Sequence, residues 1–323
     1  MLSRTADSLF WMARYMERAE NTARMLDVNV QLSLLPQSPL QRRQPWRSVL
    51  GISELRQSFD ERYDEPSARN VIEFMVRDES NPSSIYSCLR AARECARAVR
   101  GSLTTELWQT YNVTWLELQR RVTGPALQAD PRAFFEWVKF RSHLSRGVMI
   151  GTMLRDEALA FQGLGAHLEQ ADCTARLLDV ACYEQPAAET QAPDEDAASI
   201  DPRIAFYHWS ALLHAVSGFE IYRKVYRDVL TPNNVIELLV FNSAMPRSLL
   251  CGINDVIRYL VEVGTTRSRE TERQASILRA QLERGRVEDI LDTGVHAFLT
   301  DFLDRVNDLG NRISQDFLVP IAD

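Results

Sequence analysis

The sequence predicts an all-α protein, a helical bundle built from two tandem copies of a roughly six-helix unit that are related by a pseudo-twofold axis. The first observation is a duplication, because the stretch Leu9–Val28 returns 152 residues later as Phe161–Val180. Between Glu17–Val28 and Glu169–Val180, eight of twelve positions are identical. A repeat at a fixed interval is typical of a repeated structural unit. The second observation is that no stretch shows the apolar and polar alternation of a strand of usual length.

The first helix is expected at about residues 4–34 because its apolar residues recur at alternating spacings of three and four, which is typical of an amphipathic helix with one core-facing stripe. This stripe consists of Leu9, Met12, Met16, Ala19, Ala23, Leu26 and Val30. Proline ends the helix, since it cannot donate to the helical ladder. Further helices are expected in the first half at about 46–61, 70–76, 82–109, 113–123 and 130–150.

A polar residue followed by proline predicts the start of several helices, because proline at the first helical position lacks only an N–H that would have no partner there. These starts are Asn81-Pro82, Asp130-Pro131, Asp201-Pro202 and Thr231-Pro232.

The duplication extends beyond the first helix. The segment Asn70–Val76 returns as Asn234–Val240, with five of seven residues identical, at an offset of 164 residues. The change of offset from 152 to 164 implies one insertion, which falls in the acidic, proline- and alanine-rich stretch 182–203. We expect this stretch to be a mobile surface loop. The two halves, 1–154 and 155–323, are expected to form one compact body with the first helix of each half near the axis.

Composition limits the classes of function. The formal net charge of −7 and the pI near 5.4 argue against a general nucleic-acid binder, for which a basic domain is expected. The five cysteines form no CxxC pair and are too few for a disulfide scaffold. We therefore expect them to be buried or free thiols in a reducing cytosol. No apolar signal core or membrane-length apolar run is evident. We therefore expect a soluble cytoplasmic protein that does not bind membranes.

A polar ribbon flanks the apolar stripe of the first helix. It consists of Glu17, Glu20, Arg24 and Asp27, and the second copy keeps it as Glu169, Asp172, Arg176 and Asp179. One interpretation is structural, because acid–arginine pairs four residues apart stabilise helices and buried pairs fix their register. The other is a site between the halves that recognises an amine or a carboxylate. A dinuclear metal site is not expected, since the Glu-x-x-His motifs of such bundles are missing.

Other arginines occur in one half only. Arg14 and Arg18 correspond to Ala166 and Gln170 in the second copy. A later helix carries Arg90, Arg93, Arg97 and Arg100 on one face, where the second copy has Asn254, Ile257, Val261 and Gly264. This stripe, with Ser84 at the start of its helix, is a candidate surface for a phosphate, an acidic loop or a partner. The favoured interpretation is an ordinary solvated face paired to neighbouring acids.

Catalytic templates are missing from the sequence. It has no glycine-rich phosphate loop, no GxSxG elbow, no HExxH and no zinc spacing, and its five histidines are scattered singly. We therefore expect no cofactor.

The text LFWMARYMERAENTARMLDV resembles the signature of the bacterial alpha-E domain family, an all-helical family named for a Glu-Arg motif, here Glu17-Arg18. The stretches 81–112 and 146–172 are similar to that family as well. The chain departs from the pattern at Glu169-Gln170, where a second Glu-Arg is common. The resemblance implies a protein that works beside a circularly permuted ATP-grasp enzyme, often with a transglutaminase-like protein, in systems that form peptide or amide bonds.

Three functions follow from these observations. The first is a helical accessory subunit that binds the ATP-grasp ligase or its peptide or amino-acid substrate. The second is an enzyme that modifies a peptide or amino acid, with Glu17 as acid or base. The third is a purely structural scaffold. The candidate binding residues are Arg14, Arg18, Glu20, Arg24, Asp27, Glu169, Asp172, Arg176, Ser84, Arg90, Arg93 and Arg97.

Overall fold

A computed structural model describes residues 1–33, 39–124, 126–183 and 202–319. Within these ranges the protein contains sixteen α-helices and no β-strand, so the predicted all-α class is confirmed. The first eight helices are α1 (Ser3–Ser33), α2 (Pro39–Ile52), α3 (Arg56–Asp60), α4 (Ala68–Val76), α5 (Ile85–Ala98), α6 (Thr105–Thr123), α7 (Ala126–Ala129) and α8 (Pro131–Thr152).

The remaining eight helices begin after a short turn, in which the predicted boundary near residue 154 falls. They are α9 (Glu157–Tyr183), α10 (Pro202–Ala215), α11 (Phe219–Tyr226), α12 (Pro232–Phe241), α13 (Leu249–Val263), α14 (Arg269–Arg284), α15 (Val287–Thr293) and α16 (Val295–Ile313). A π-helical turn, Ser314–Leu318, follows α16.

Two long helices, α1 and α9, lie at the centre and pack against each other. Helix α1 also packs against α5 and α8, and α9 packs against α13 and α16. The crossing of the two central helices is close, because a Cβ atom added at Gly165 would lie 2.2 Å from the backbone oxygen of Phe10. Only glycine allows two backbones to approach to this distance.

The single helix expected at about 82–109 is wrong, because the chain forms α5 and α6 instead. Pro82 does not begin a helix; Ser84 caps α5 by accepting a hydrogen bond from the backbone N–H of Ser87. The helix ends at Ala98, a 3₁₀ turn follows at Arg100–Ser102, and Thr104 caps α6. A side-chain oxygen that satisfies the first free N–H groups of a helix stabilises its start.

The predicted acidic loop 182–203 lies mostly outside the described residues. At its edges, α9 continues to Tyr183 and α10 begins at Pro202. Among the described helices, none is both long and apolar enough to cross a lipid bilayer.

Candidate functional site

The carboxylate of Glu17 is buried between α1, α8, α9 and the start of α13. Its Oε2 accepts a hydrogen bond of 2.6 Å from Arg146 Nη2, and its Oε1 accepts bonds of 2.9 Å from both Arg247 Nη2 and Gln170 Nε2. The residue is only 2 % exposed. Both oxygens of Glu17 are therefore already bound by donors from the chain itself.

Glu20, one turn later, belongs to the same network. It accepts from Arg24 Nε at 2.8 Å, Arg247 Nη2 at 2.7 Å and Arg146 Nη2 at 2.9 Å. Its Oε2 also accepts from the hydroxyl of Ser142 at 2.6 Å. Burial alone would raise the pKa of the Glu20 carboxyl, but the three guanidinium groups hold that pKa well below its ordinary value. Glu20 is therefore an ionised member of a buried ion network at neutral pH.

His143 lies at the outer edge of this network. Its Nε2 is 3.3 Å from Arg24 Nη2, and its Nδ1 is 3.5 Å from Arg146 Nη1. Burial lowers the pKa of His143, and the two arginines lower it further against the opposing effect of Glu20. The imidazole is therefore neutral near pH 7.

A second charged centre surrounds Glu169 on α9. Its Oε1 accepts a bond of 2.6 Å from Arg18 Nε, and its Oε2 accepts a bond of 2.8 Å from Arg14 Nε. Burial alone would raise the pKa of the Glu169 carboxyl, but the two arginines lower it below its ordinary value. The pair Glu17-Arg18 therefore reaches two separate centres, since Glu17 bonds to Gln170 and Arg18 bonds to Glu169.

The position of Gln170 gives a physical reason for the departure from a second Glu-Arg pair. Its partner, Glu17, already accepts charged hydrogen bonds from Arg146 and Arg247. A third guanidinium at position 170 would add a buried positive charge without a free carboxylate to face it. The neutral amide completes the hydrogen bonding without that cost.

An open cleft of about 220 Å³ lies beside Arg18, between α1, α9 and the turn after α2. We call it the Arg18 cleft. Its charged and polar lining includes Arg18, Asn21, Glu54, Ser83, Asp172 and Arg176. Arg176 donates to both oxygens of Asp172, at 2.8 and 3.2 Å, and to Glu54 Oε1 at 2.5 Å. The cleft therefore presents both signs of charge.

Asn21 is a buried polar group of the Arg18 cleft. It is 5 % exposed, and its Oδ1 accepts a bond of 2.9 Å from Arg247 Nη1. Its Nδ2 is buried and has no hydrogen-bond partner within the described parts of the chain. A buried donor without a partner is unusual and points to an acceptor supplied from outside these residues.

Two further openings adjoin this region. A second cleft, of about 300 Å³, is lined by Arg14, Trp11, Gly310 and Ser314 among others; we call it the Arg14 cleft. The guanidinium of Arg14 lies 5.0 Å from the ring centroid of Trp11. An apolar groove of about 100 Å³ continues from the Arg18 cleft, with which it shares Met25 and Ile52.

The other residues predicted as site members lie elsewhere. Asp27 is buried and bonds to Lys139 at 2.9 Å, which ties α1 to α8, and Ser84 is the cap of α5. The arginine stripe on α5 is paired with acids. Arg90 contacts Glu79, and both Arg93 and Arg97 contact Glu94. The structure therefore brings together Glu17, Glu20 and Arg24 in one centre, and Arg14, Arg18 and Glu169 in another, with Asp172 and Arg176 beside the second.

Sequence reasoning missed two members of the buried network, Arg146 and Arg247. The comparison of the two copies could have identified them, because each is an arginine in one copy only. At the offset of 164 residues, Arg247 corresponds to Ser83 and Arg146 corresponds to Gly310. In the described residues, no group of three or more histidine, cysteine, aspartate or glutamate side chains is placed to hold a metal ion.

Comparisons with known proteins agree with this all-helical structure. A family model described as a predicted alpha-helical domain with a conserved ER motif matches residues 1–318. Uncharacterized proteins of Mycobacterium bovis and Mycobacterium tuberculosis are each 23 % identical over 93 % of this chain. The chain spans only 36 % of the length of these curated relatives. No solved structure matches the chain.

Proposed function

The chain belongs to the Alpha-E family, and from that premise we propose that it is a helical accessory subunit of an ATP-grasp-dependent system that forms peptide or amide bonds. The observation that carries the proposal is the Arg18 cleft, which lies at the Glu-Arg motif and is open while the Glu17 centre is closed. Carboxylate activation would belong to the partner, since the sequence has no phosphate-binding loop. In the mycobacterial relatives the matching region is joined to a longer remainder, an arrangement that suits a subunit working against another protein.

We further propose that α1–α8 and α9–α16 are two copies of one unit. The starts of α13, α14 and α16 follow those of α5, α6 and α8 by 164 residues in each case. The order of packing is the same in both halves, because α1 contacts α5 and α8 where α9 contacts α13 and α16. The hydrogen bonds from Arg18 to Glu169 and from Gln170 to Glu17 are the reciprocal contacts that a twofold axis between α1 and α9 produces.

The geometry supports binding better than catalysis by this chain. Glu17, the residue proposed as acid or base, is buried and holds three donors, whereas Asp172 and Arg176 line an opening. A cleft with both carboxylates and guanidinium groups suits a ligand that carries both signs of charge, such as an amino acid or a peptide end. Such a site positions a substrate for a reaction that another protein performs.

Co-purification with the ATP-grasp protein tests the proposed function. We expect the two proteins to elute together at micromolar concentrations, and we expect Arg18→Gln, which installs the residue found at position 170, to weaken substrate use by the assembled system. Arg273→Ala is the matched control, since it removes an exposed arginine of α14 that belongs to none of the candidate sites. Absence of any complex at micromolar concentrations would reject the accessory role.

Glu17→Gln separates the enzymatic alternative from the accessory role. The substitution keeps the shape of the side chain and removes its charge. We expect it to lower the stability of the chain while the assembled system still turns over substrate. Loss of turnover at full stability and unchanged complex formation would instead favour Glu17 as an acid or base.

A further inference from the structure

We propose that the Arg18 cleft binds a guanidinium or primary ammonium group of a ligand, in the position that an arginine of this same chain occupies in the other half. The ligand class rests on the proposed function: an amide-forming system needs an amine component, and this cleft would hold it. The chemistry of the cleft itself follows from a comparison of the two halves.

The first step is the correspondence between Arg247 and Ser83. The segments Pro82-Ser83-Ser84 and Pro246-Arg247-Ser248 are 164 residues apart. Both end in a serine that caps the next helix, since Ser84 caps α5 and Ser248 caps α13. Positions 83 and 247 are therefore equivalent in the two halves, each directly before the cap of its helix. Ser83 carries a hydroxymethyl group, whereas Arg247 carries a guanidinium group.

The second step is what Arg247 contacts. Its guanidinium donates to Glu17, Glu20 and Asn21 at 2.9, 2.7 and 2.9 Å. The corresponding residues of the repeat are Glu169, Asp172 and Cys173. All three line the Arg18 cleft, together with Ser83. The cleft is therefore the space that a guanidinium group fills in the other half.

The third step is an independent instance of the same exchange. Arg146, which fills the other side of Glu17, corresponds to Gly310. The cavity beside Arg146 measures about 20 Å³, whereas the Arg14 cleft beside Gly310 measures about 300 Å³. In both cases, the small residue that replaces a network arginine thus lines an open cleft.

The charges that line the Arg18 cleft favour a cation. Three carboxylates, those of Glu54, Glu169 and Asp172, face two guanidinium groups, those of Arg18 and Arg176. Glu169 pairs with both Arg14 and Arg18, whereas Glu54 and Asp172 share the single guanidinium of Arg176, so the excess of negative charge lies at Glu54 and Asp172. Carboxylates and N–H cations form short, strong hydrogen bonds when they are partly removed from water.

The remaining polar group favours an oxygen next to the cation. Asn21 lines the cleft, and its buried Nδ2 has no partner in the described chain. A carbonyl or carboxylate oxygen of the ligand would satisfy this donor. The volume of about 220 Å³ is below the roughly 300–1,000 Å³ of sites for drug-sized ligands, so it suits a single residue. The ligand is therefore an amino acid or peptide end that carries an amine or guanidinium group.

Titration of the full chain with L-argininamide tests the proposal without the ligase. We expect saturable binding to the wild-type chain and to Ser83→Ala, which keeps the cleft open. Ser83→Arg places the chain's own guanidinium in the cleft, and we expect it to weaken binding at least tenfold while the melting temperature stays equal or rises. Tetramethylammonium, which has no N–H donor, should not bind.

A second variant keeps the test decisive if Ser83→Arg does not fold. Glu54 is an exposed acid at the mouth of the cleft, so Glu54→Gln should leave the fold intact and weaken argininamide binding several-fold. Absence of binding to the wild-type chain, or equal binding to Ser83→Arg and wild type, would overturn a site for a free amine. The site as a whole is overturned if, in addition, Ser83→Arg leaves complex formation with the ligase unchanged.

The same variants distinguish the source of the cation and the fate of the two proposals. If argininamide does not bind but Ser83→Arg abolishes complex formation, the cation is an arginine or lysine side chain of the partner. If argininamide binds and no ATP-grasp protein co-purifies, the cleft is a cation site and the accessory role alone fails.

Discussion

Arg247→Ala is the most informative single substitution, because Arg247 is the buried cation shared by Glu17 and Glu20. The residue is 8 % exposed and makes three hydrogen bonds to the network. Hydrogen bonds to charged groups contribute about 1.5–3 kcal/mol each, but they are not additive here, since Arg24 and Arg146 remain beside Glu20. Breaking a buried ion pair from one side typically costs about 3–5 kcal/mol, and we expect a loss of that size.

Urea unfolding at pH 7, followed by circular dichroism, measures this loss. Arg90→Ala serves as the matched control, since Arg90 and its partner Glu79 are both exposed and such pairs contribute about 1 kcal/mol or less. Adding Glu20→Gln to Arg247→Ala removes the carboxylate that still binds Arg24, and we expect the double variant to be less stable than Arg247→Ala alone. A loss below about 1 kcal/mol for Arg247→Ala would refute the reasoning from a buried ion network.

Three further predictions follow from the same structure. The pKa of Glu20 is held below its ordinary value of 4.5, so below that pH the unfolded chain binds a proton at this residue that the folded chain does not. The contribution of Glu20 to the free energy of unfolding should therefore be complete above pH 4.5 and decrease as the pH falls further. Urea unfolding across this range should show a shallower decrease for Glu20→Gln. Gly165→Ala places a Cβ atom 2.2 Å from the backbone oxygen of Phe10 and should destabilise the protein by about 3 kcal/mol or more. Gly147→Ala is the control, because its Cβ would have nothing within 4 Å, and it should stabilise the protein by about 0.5–1 kcal/mol. The opposite order of stability in thermal unfolding would contradict the close crossing of α1 and α9. Burial raises the pKa of the Cys88 thiol to about 12, so Cys88 should not react with a thiol reagent at pH 8 until urea unfolds the chain, and rapid labelling of the native protein would show that this residue is accessible.

Local patterns in the sequence predicted the elements that depend on neighbouring residues. The spacing of apolar residues placed the first helix at about 4–34, and α1 spans Ser3–Ser33. Thr231-Pro232 marked the start of α12, where Thr231 accepts from the backbone N–H of Asn234. The same reasoning failed between residues 82 and 109, because a short turn between two helices leaves little trace in a periodic pattern.

The sequence by itself determined the helical class, the repeat and the ribbon of acids and arginines on the first helix, because periodicity and duplication are properties of neighbouring residues. Only the tertiary structure decided that this ribbon is closed around Glu17 and open around Asp172. The physical reason is that the closing side chains come from far along the chain, since Arg146 and Arg247 meet Glu17 across 129 and 230 residues. At the equivalent positions Gly310 and Ser83 are too short to fill the space, so the second copy of the ribbon lines a cleft.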